Sequence, residues 1–457
     1  MLDGRFNADV AELEGGVDDE KSDRADFARY MDAAVAALDV QTGSGEPEGR
    51  FGQISIDRFS PMFKRPEQFG IRIEPFRAYR YVYPLPDAEI QNLAYAFSRP
   101  QSLHEIQNAK KAIEAVTLEA VNALAARMSP EQRKASCFPV DSPQWRNWQN
   151  TELYVEHHGL RLDEAGEPLR EAAMAVLRAS MSPHGYELSR NVMKLNRFLG
   201  DLVGGPAILG EWSYIFCLFG TPSTSEPWGW QFFGHHLVLN CFVLGEQMAC
   251  TPAFWGAEPN YADHGPFAGI RLFQDEERAG LTLMRSLSEA QCRRAIVAHS
   301  MMGGDLPEGR RHFADNLHLG GAFQDNRVVP YDGLKGSELS AAQRRDLMDL
   351  VGKYFAVLPD GPRNARMAEV ERHLADTHFC WIGGFSEDSP FYYRVHSPVI
   401  LIEFDHHPGV VFDNEVPSRH HVHTVVRTPN GGDYGADLLR QHHEQFDHST
   451  GHHNARH

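Results

Sequence analysis

Apolar residues recur at the i, i+3 and i+4 spacing of a helix through 26–38, 105–127, 170–181 and 186–203, the period at which a helix buries one face. The last run stops at Gly204-Gly205, where a left-handed residue can close a helix at little steric cost. Three Ser-x-x-Gln segments, Ser129 to Gln132, Ser288 to Gln291 and Ser340 to Gln343, mark further helix starts. In each, the Ser oxygen can accept the third helical N–H while Gln reaches back to the cap. Near residue 211 the pattern changes to short apolar and aromatic runs separated by Gly and Pro. These are 212–219, then 236–243 and 248–255 as a hairpin about 244–247, and later 391–395, 399–404 and 421–428, which read as strands. Helical segments at 276–300 and 340–356 lie between the two strand groups, and a last helix is expected at 436–446. The fold class that follows is α+β, a helical N-terminal third packed on a largely antiparallel sheet. Residues 1–70 read as an acidic extension and linker, 71–445 as one domain, and 446–457 as a mobile His-rich tail.

Alternation within the strands says which side chains share a face. His421, His423, Val425 and Arg427 lie together, as do Val399, Leu401, Glu403 and Asp405. The pair His235-His236 opens the 235–243 run, with His236, Val238, Asn240 and Phe242 on one side. Two imidazoles at i and i+2 are the simplest way a strand offers two nitrogens to one metal. A carboxylate such as Glu403 in an apolar strand must be paired, protonated or metal-bound, because an isolated buried charge is costly. Half of the 24 histidines fall in 396–457. Those at 442, 443, 448, 452, 453 and 457 lie on a polar helix end or in the tail, and read as surface groups.

The net charge of −18 argues against nucleic acid or an anionic membrane as partner, since both need a positive surface. Six cysteines without a Cys-x-x-Cys pair read as reduced thiols, and exclude a zinc ribbon. With neither a signal-like start nor a membrane-length apolar run, the expected location is cytoplasmic. Nucleotide-binding, serine-hydrolase and zincin motifs are missing from the sequence, so those readings lose support.

Several blocks nevertheless resemble one family. They are Pro227-Trp228-Gly229-Trp230, Gly234-His235-His236-Leu237 with Asn240, Gly256-Ala257-Glu258-Pro259, Pro390-Phe391-Tyr392-Tyr393-Arg394, Ile402-Glu403-Phe404-Asp405, His421-Val422-His423-Thr424-Val425 and the stretch 433–439. Together they are similar to the family called domain of unknown function 3500, over 118–445. The resemblance implies one continuous unit and brings no chemistry with it. Where the family pattern leads one to expect Asn before His-x-His, this chain has His420, an extra imidazole at the rim.

The residues themselves point to a metal-dependent enzyme. One divalent ion, zinc ahead of iron or copper, would sit on His236, His421 and His423. Glu403 would be fourth ligand or general base, and Asn240 and Arg427 would assist. His235, Trp230, Tyr393, Arg394 and Asp405 would line the substrate or support the ligands. The arginines could equally pair with Glu403 or Asp405. Zinc suits water-driven attack on an ester, lactone or amide of a small molecule; iron or copper would imply redox chemistry. A third reading is a ligand-binding protein with a structural histidine cluster. A homo-oligomer is left open.

Overall fold

The computed structural model describes residues 111–447 except 153–157, 305, 307–309, 312–315, 323, 326–327, 410–413, 415 and 430, together with 454–455. The expected helix at 26–38, the linker and the tail histidines lie outside the described residues. Two helices lead in, α1 (Lys111–Arg127) and the short α2 (Pro130–Ser136), followed by β1 (Cys137–Phe138), β2 (Leu160–Arg161) and the helices α3 (Glu167–Ser180) and α4 (Pro183–Val203). A strand run follows: β3 (Tyr214–Gly220), β4 (Trp228–Gly234), β5 (Leu237–Leu244), β6 (Gln247–Ala249) and β7 (Ala253–Ala257). Helices α5 (Gln274–Ser286) and α6 (Glu289–Ala295), strands β8 (Ile296–Ala298) and β9 (Leu334–Lys335), then α7 (Ala341–Phe355) and α8 (Asp360–Arg372) separate it from the second run. That run is β10 (His378–Gly383), β11 (Phe391–His396), β12 (Leu401–His406) and β13 (Val422–Arg427), and α9 (Ala436–Gln445) follows it.

The helix boundaries follow the capping chemistry. All three Ser/Gln boxes close reciprocally at α2, α6 and α7. Ser182 caps α4, with Pro183 in its first turn, and Gly204 ends that helix in the left-handed region at φ 74°. Among the described residues, no helix is long and apolar enough to cross a membrane.

The strands make one mixed, mostly antiparallel sheet in the order β1-β3-β4-β5-β7-β13-β12-β11-β10-β8, with β2, β6 and β9 attached to β3, β5 and β10. Among the described residues, only the pairs β1–β3 and β8–β10 are parallel. The two strand groups therefore meet at β7–β13, in mid-sheet, and that seam carries the histidines. Both faces are covered. On one side Leu237, Leu239, Ile402, Phe404, Val422 and Tyr393 pack with helix residues such as Leu195 and Leu350. On the other, Val238, Phe242, Phe254, Leu401 and Val425 pack with Trp145, Trp148, Leu319 and Tyr434. His423 and Asp405, by alternation with Val422 and Phe404, project to this second side.

One expected element needs correcting. His235 and His236 do not open a strand: Gly234 pairs with Leu237, so the two histidines are the two-residue turn of the β4–β5 hairpin. His236 holds φ 63°, a left-handed conformation that costs an ordinary residue on the order of 1–2 kcal/mol. Its N–H donates to Asn150 Oδ1 (2.9 Å) and its carbonyl accepts Gly256 N–H (2.8 Å), which fix the turn. A second correction concerns His442, which is buried on α9, with Nε2 3.8 Å from the Glu226 carboxylate.

Candidate metal centre

Strained backbone at a non-glycine residue is a reason to ask what the side chain does. The His236 ring points across the seam to β13. Its Nε2 lies 3.2 Å from His421 Nε2 and 3.1 Å from His423 Nε2, and the latter two are 3.0 Å apart. All three rings are buried. At metal–nitrogen distances of about 2.0–2.1 Å, a tetrahedral ion needs its ligands about 3.3 Å apart and an octahedral one about 2.9 Å. The observed triangle lies between these values, so the nitrogens fit an ion held on one face.

Neighbouring groups set the rings' protons. His421 Nδ1 is 2.9 Å from the Pro408 carbonyl, which can only accept, so the proton is on Nδ1 and Nε2 presents a bare lone pair. The Glu258 carboxylate, also buried, stands 3.7 Å from the same Nδ1, the place where a carboxylate orients a ligating imidazole. Burial holds His421 down to about 3, and holds His236 and His423 well below the ordinary histidine value, with nearby imidazoles adding to the effect. The three are neutral, the form that binds metal.

His235 stacks on His236 with centroids 3.7 Å apart and puts Nδ1 2.7 Å from Asn196 Oδ1. Asn196 Nδ2 donates to Gly210 O, so its oxygen faces His235 and His235 Nδ1 is the donor. Helix α4 thereby steadies the turn from below.

Gly256 of β7 lies opposite His423 in the ladder. A Cβ there would come within 3.0 Å of Cδ2 of both His236 and His423, and within 2.9 Å of the Val422 carbonyl. Only glycine lets these two rings converge.

The carboxylate facing the histidines is set by register. Asp405 pairs with His423, and Glu403 with Val425. The Glu403 carboxylate accepts N–H from Leu319 (2.9 Å to each oxygen) and Gly320 (2.7 Å) and the Tyr392 hydroxyl (2.6 Å). Burial pushes its carboxyl up, but nearby charges and the Tyr392 hydroxyl pull it below the usual range. Arg394 and Arg310 supply that positive charge, since His318 is itself held down to about 4 by burial. For Asp405 burial outweighs the hydrogen bonds from Asn316 and Leu317 and the charge of Arg310, and its carboxyl is pushed well above the usual range. Asp405 Oδ2 accepts from Asn316 Nδ2 (3.1 Å), and its Oδ1 lies 3.3 Å from His318 Nε2.

The remaining candidates work elsewhere. Asn240 bridges Gln231 and the Pro252 carbonyl. Arg427 clamps the Gly320 and Gly321 carbonyls, Asp325 and Asp433. Arg394 pairs with Asp332 and the Pro330 carbonyl. Trp230 bonds Ser180, and Tyr393 bonds Tyr354, both on the helix side of the sheet. His420 is exposed and meets the edge of Tyr261. Two residues not singled out from the sequence do lie at the site: His318, and His407, whose ring centroid is 3.9 Å from that of His423. His407 continues the alternation of Glu403 and Asp405 and could have been found that way. His318 sits in a loop without periodicity.

Residues 110–436 match the family model described as "Protein of unknown function (DUF3500)". The match spans well over half of the chain, and the chain belongs to that family. No match is found among curated proteins or among solved structures.

Proposed function

We propose that the chain is a metal-dependent enzyme whose ion is held by His236, His421 and His423, and that it hydrolyses an ester, lactone or amide of a small organic substrate. One observation carries this reading: three buried, neutral imidazoles, one from the β4–β5 turn and two from the β13 segment far along the chain, bring their Nε2 atoms within 3.2 Å of one another. With His421 Nε2 bare, at most two protons remain for three mutual contacts, so hydrogen bonding alone leaves the group unsatisfied. A cation satisfies all three lone pairs. Zinc suits a three-nitrogen set with an open position and brings its water's pKa toward about 7. The chain supplies a dry, preformed ligand set, and Asp405 as the carboxylate facing it. Glu403 acts as the anchor of segment 316–320, its lone pairs being engaged by Leu319, Gly320 and Tyr392. A ligand spacing between the tetrahedral and octahedral values supports a second reading, an iron or copper oxidoreductase at the same site.

Metal analysis of protein purified without nickel resin tests both readings. About one zinc per chain, with chelator-sensitive turnover on an ester, lactone and amide panel, is expected; iron or copper in that stoichiometry selects the second reading. His421→Ala and His423→Ala should each remove the ion, while His452→Ala and His453→Ala leave it. Full occupancy in the His421/His423 double variant would overturn the site. Gly256→Ala should retain the fold yet weaken metal binding roughly ten- to hundredfold, as loss of ligand support does elsewhere. Competition against a chromophoric chelator reads that change, and unaltered affinity would show that the rings need not converge.

A further inference from the structure

Beside the three-histidine group stands a second one. Ligand-type atoms of Asp405, His407 and His423 also lie within 4.8 Å of one another, and all three residues are buried. The two groups share only His423. Ligands about 2.1 Å from one ion can be at most about 4.2 Å apart, even across it. The five residues form two overlapping groups and not one, so a single ion does not account for all of them. Asp405 Oδ1 and His318 Nε2, buried and 3.3 Å apart, make no hydrogen bond. The other Asp405 oxygen lies 3.6 Å from His407 Nε2. A buried carboxylate oxygen without a donor, set among imidazoles, is the donor set a divalent cation takes.

We propose that this is a second cation position, with Asp405 and His407 as its ligands and His423 standing between the two ions, so that the centre is dinuclear. The proposal rests on the reading of the three-histidine group as a metal site. Paired ions about 3.5–4 Å apart can hold both the attacking and the departing oxygen of a displacement, which suits hydrolysis better than redox chemistry.

The test compares the full chain with Asp405→Asn and His407→Ala after chelator treatment and reloading with Mn²⁺. Bound metal is counted after equilibrium dialysis, and the difference between proteins is read so that ions on the tail histidines cancel. The wild-type chain should hold one ion more than either variant, and its electron paramagnetic resonance spectrum should show two coupled Mn²⁺ ions. Equal counts, or a wild-type spectrum of uncoupled ions only, would overturn the proposal; the spectrum needs no variant, so misfolding of Asp405→Asn does not blunt it. If the wild type holds one ion that His421→Ala removes, the three-histidine centre stands and the second position falls. If His421→Ala removes none, both fall.

Discussion

Glu403→Gln should lower folding stability by about 2–3 kcal/mol while leaving metal content per folded molecule unchanged. The carboxylate now accepts two peptide N–H groups and a tyrosine hydroxyl in a fully buried setting. Charge-assisted bonds of this kind are worth about 1.5–3 kcal/mol each, against about 1 for neutral ones. An amide keeps the shape and can still accept from Leu319 or Gly320, but it turns its NH₂ toward Tyr392. It also removes a negative charge that Arg310 and Arg394 both feel, and these are two buried guanidinium groups with N–H atoms that lack hydrogen-bond partners. Glu403→Ala removes every acceptor and should cost about 3–5 kcal/mol, as breaking a buried charged network does. Urea unfolding midpoints measure both. If Glu403→Gln instead loses metal or turnover by orders of magnitude at unchanged stability, Glu403 is the base or ligand and not the anchor of segment 316–320.

Much of this geometry is legible in the sequence. Capping boxes located three helix starts because an N-cap is a local hydrogen-bond problem, solved within four residues. Alternation put His421 with His423, and Glu403 with Asp405, because the pleat has a fixed period of two. What alternation cannot supply is register. Whether Glu403 or Asp405 faces His423 depends on how β12 and β13 slide past each other, and a two-residue shift keeps every face unchanged while exchanging the two carboxylates. The His235-His236 turn is hidden for a different reason. Its first strand, Trp228–Gly234, is buried on both faces, so aromatic residues fill both sides and the polar alternation that announces a strand is gone. Without that signal, the histidines read as the beginning of the next strand. Gly256 was visible as part of a motif, but its role as the gap into which two rings fit required knowing that β7 and β13 are neighbours. Asn316 and His318 come from a loop held to the sheet by Asp405 and Glu403, and nothing local in the sequence marks that docking.

Acid should unfold the metal-free protein at a pH about half a unit higher than the metal-loaded protein. Seven histidines, at 235, 236, 318, 396, 406, 421 and 423, are buried and held below their ordinary value, chiefly by burial. A histidine kept neutral in the fold contributes its stability in full above the unfolded pKa of about 6.5. That contribution is lost as pH falls toward the folded value, which is about 3 for His235 and His421 and about 4 for His318. Below 6.5 each group favours the unfolded chain by up to about 1.4 kcal/mol per pH unit. The carboxyls of Glu152, Glu276, Glu369, Asp405 and Asp433 work the other way, because burial pushes them up and the fold takes up those protons first. The seven histidines outnumber them, and of the carboxyls only Asp405 is pushed well above the usual range, so a net slope of several kcal/mol per pH unit exhausts a typical stability of about 5–15 kcal/mol within one to two units. The metal-free chain should therefore unfold near pH 5. A bound ion adds stability by mass action, about 2.7 kcal/mol at a hundredfold excess over its dissociation constant, and moves the midpoint down. Circular dichroism during acid titration, with and without chelator, reads the shift. Coincident midpoints would mean that no ion binds the folded chain at His236, His421 and His423, whereas a chelator effect that disappears in His423→Ala would tie the added stability to those three rings.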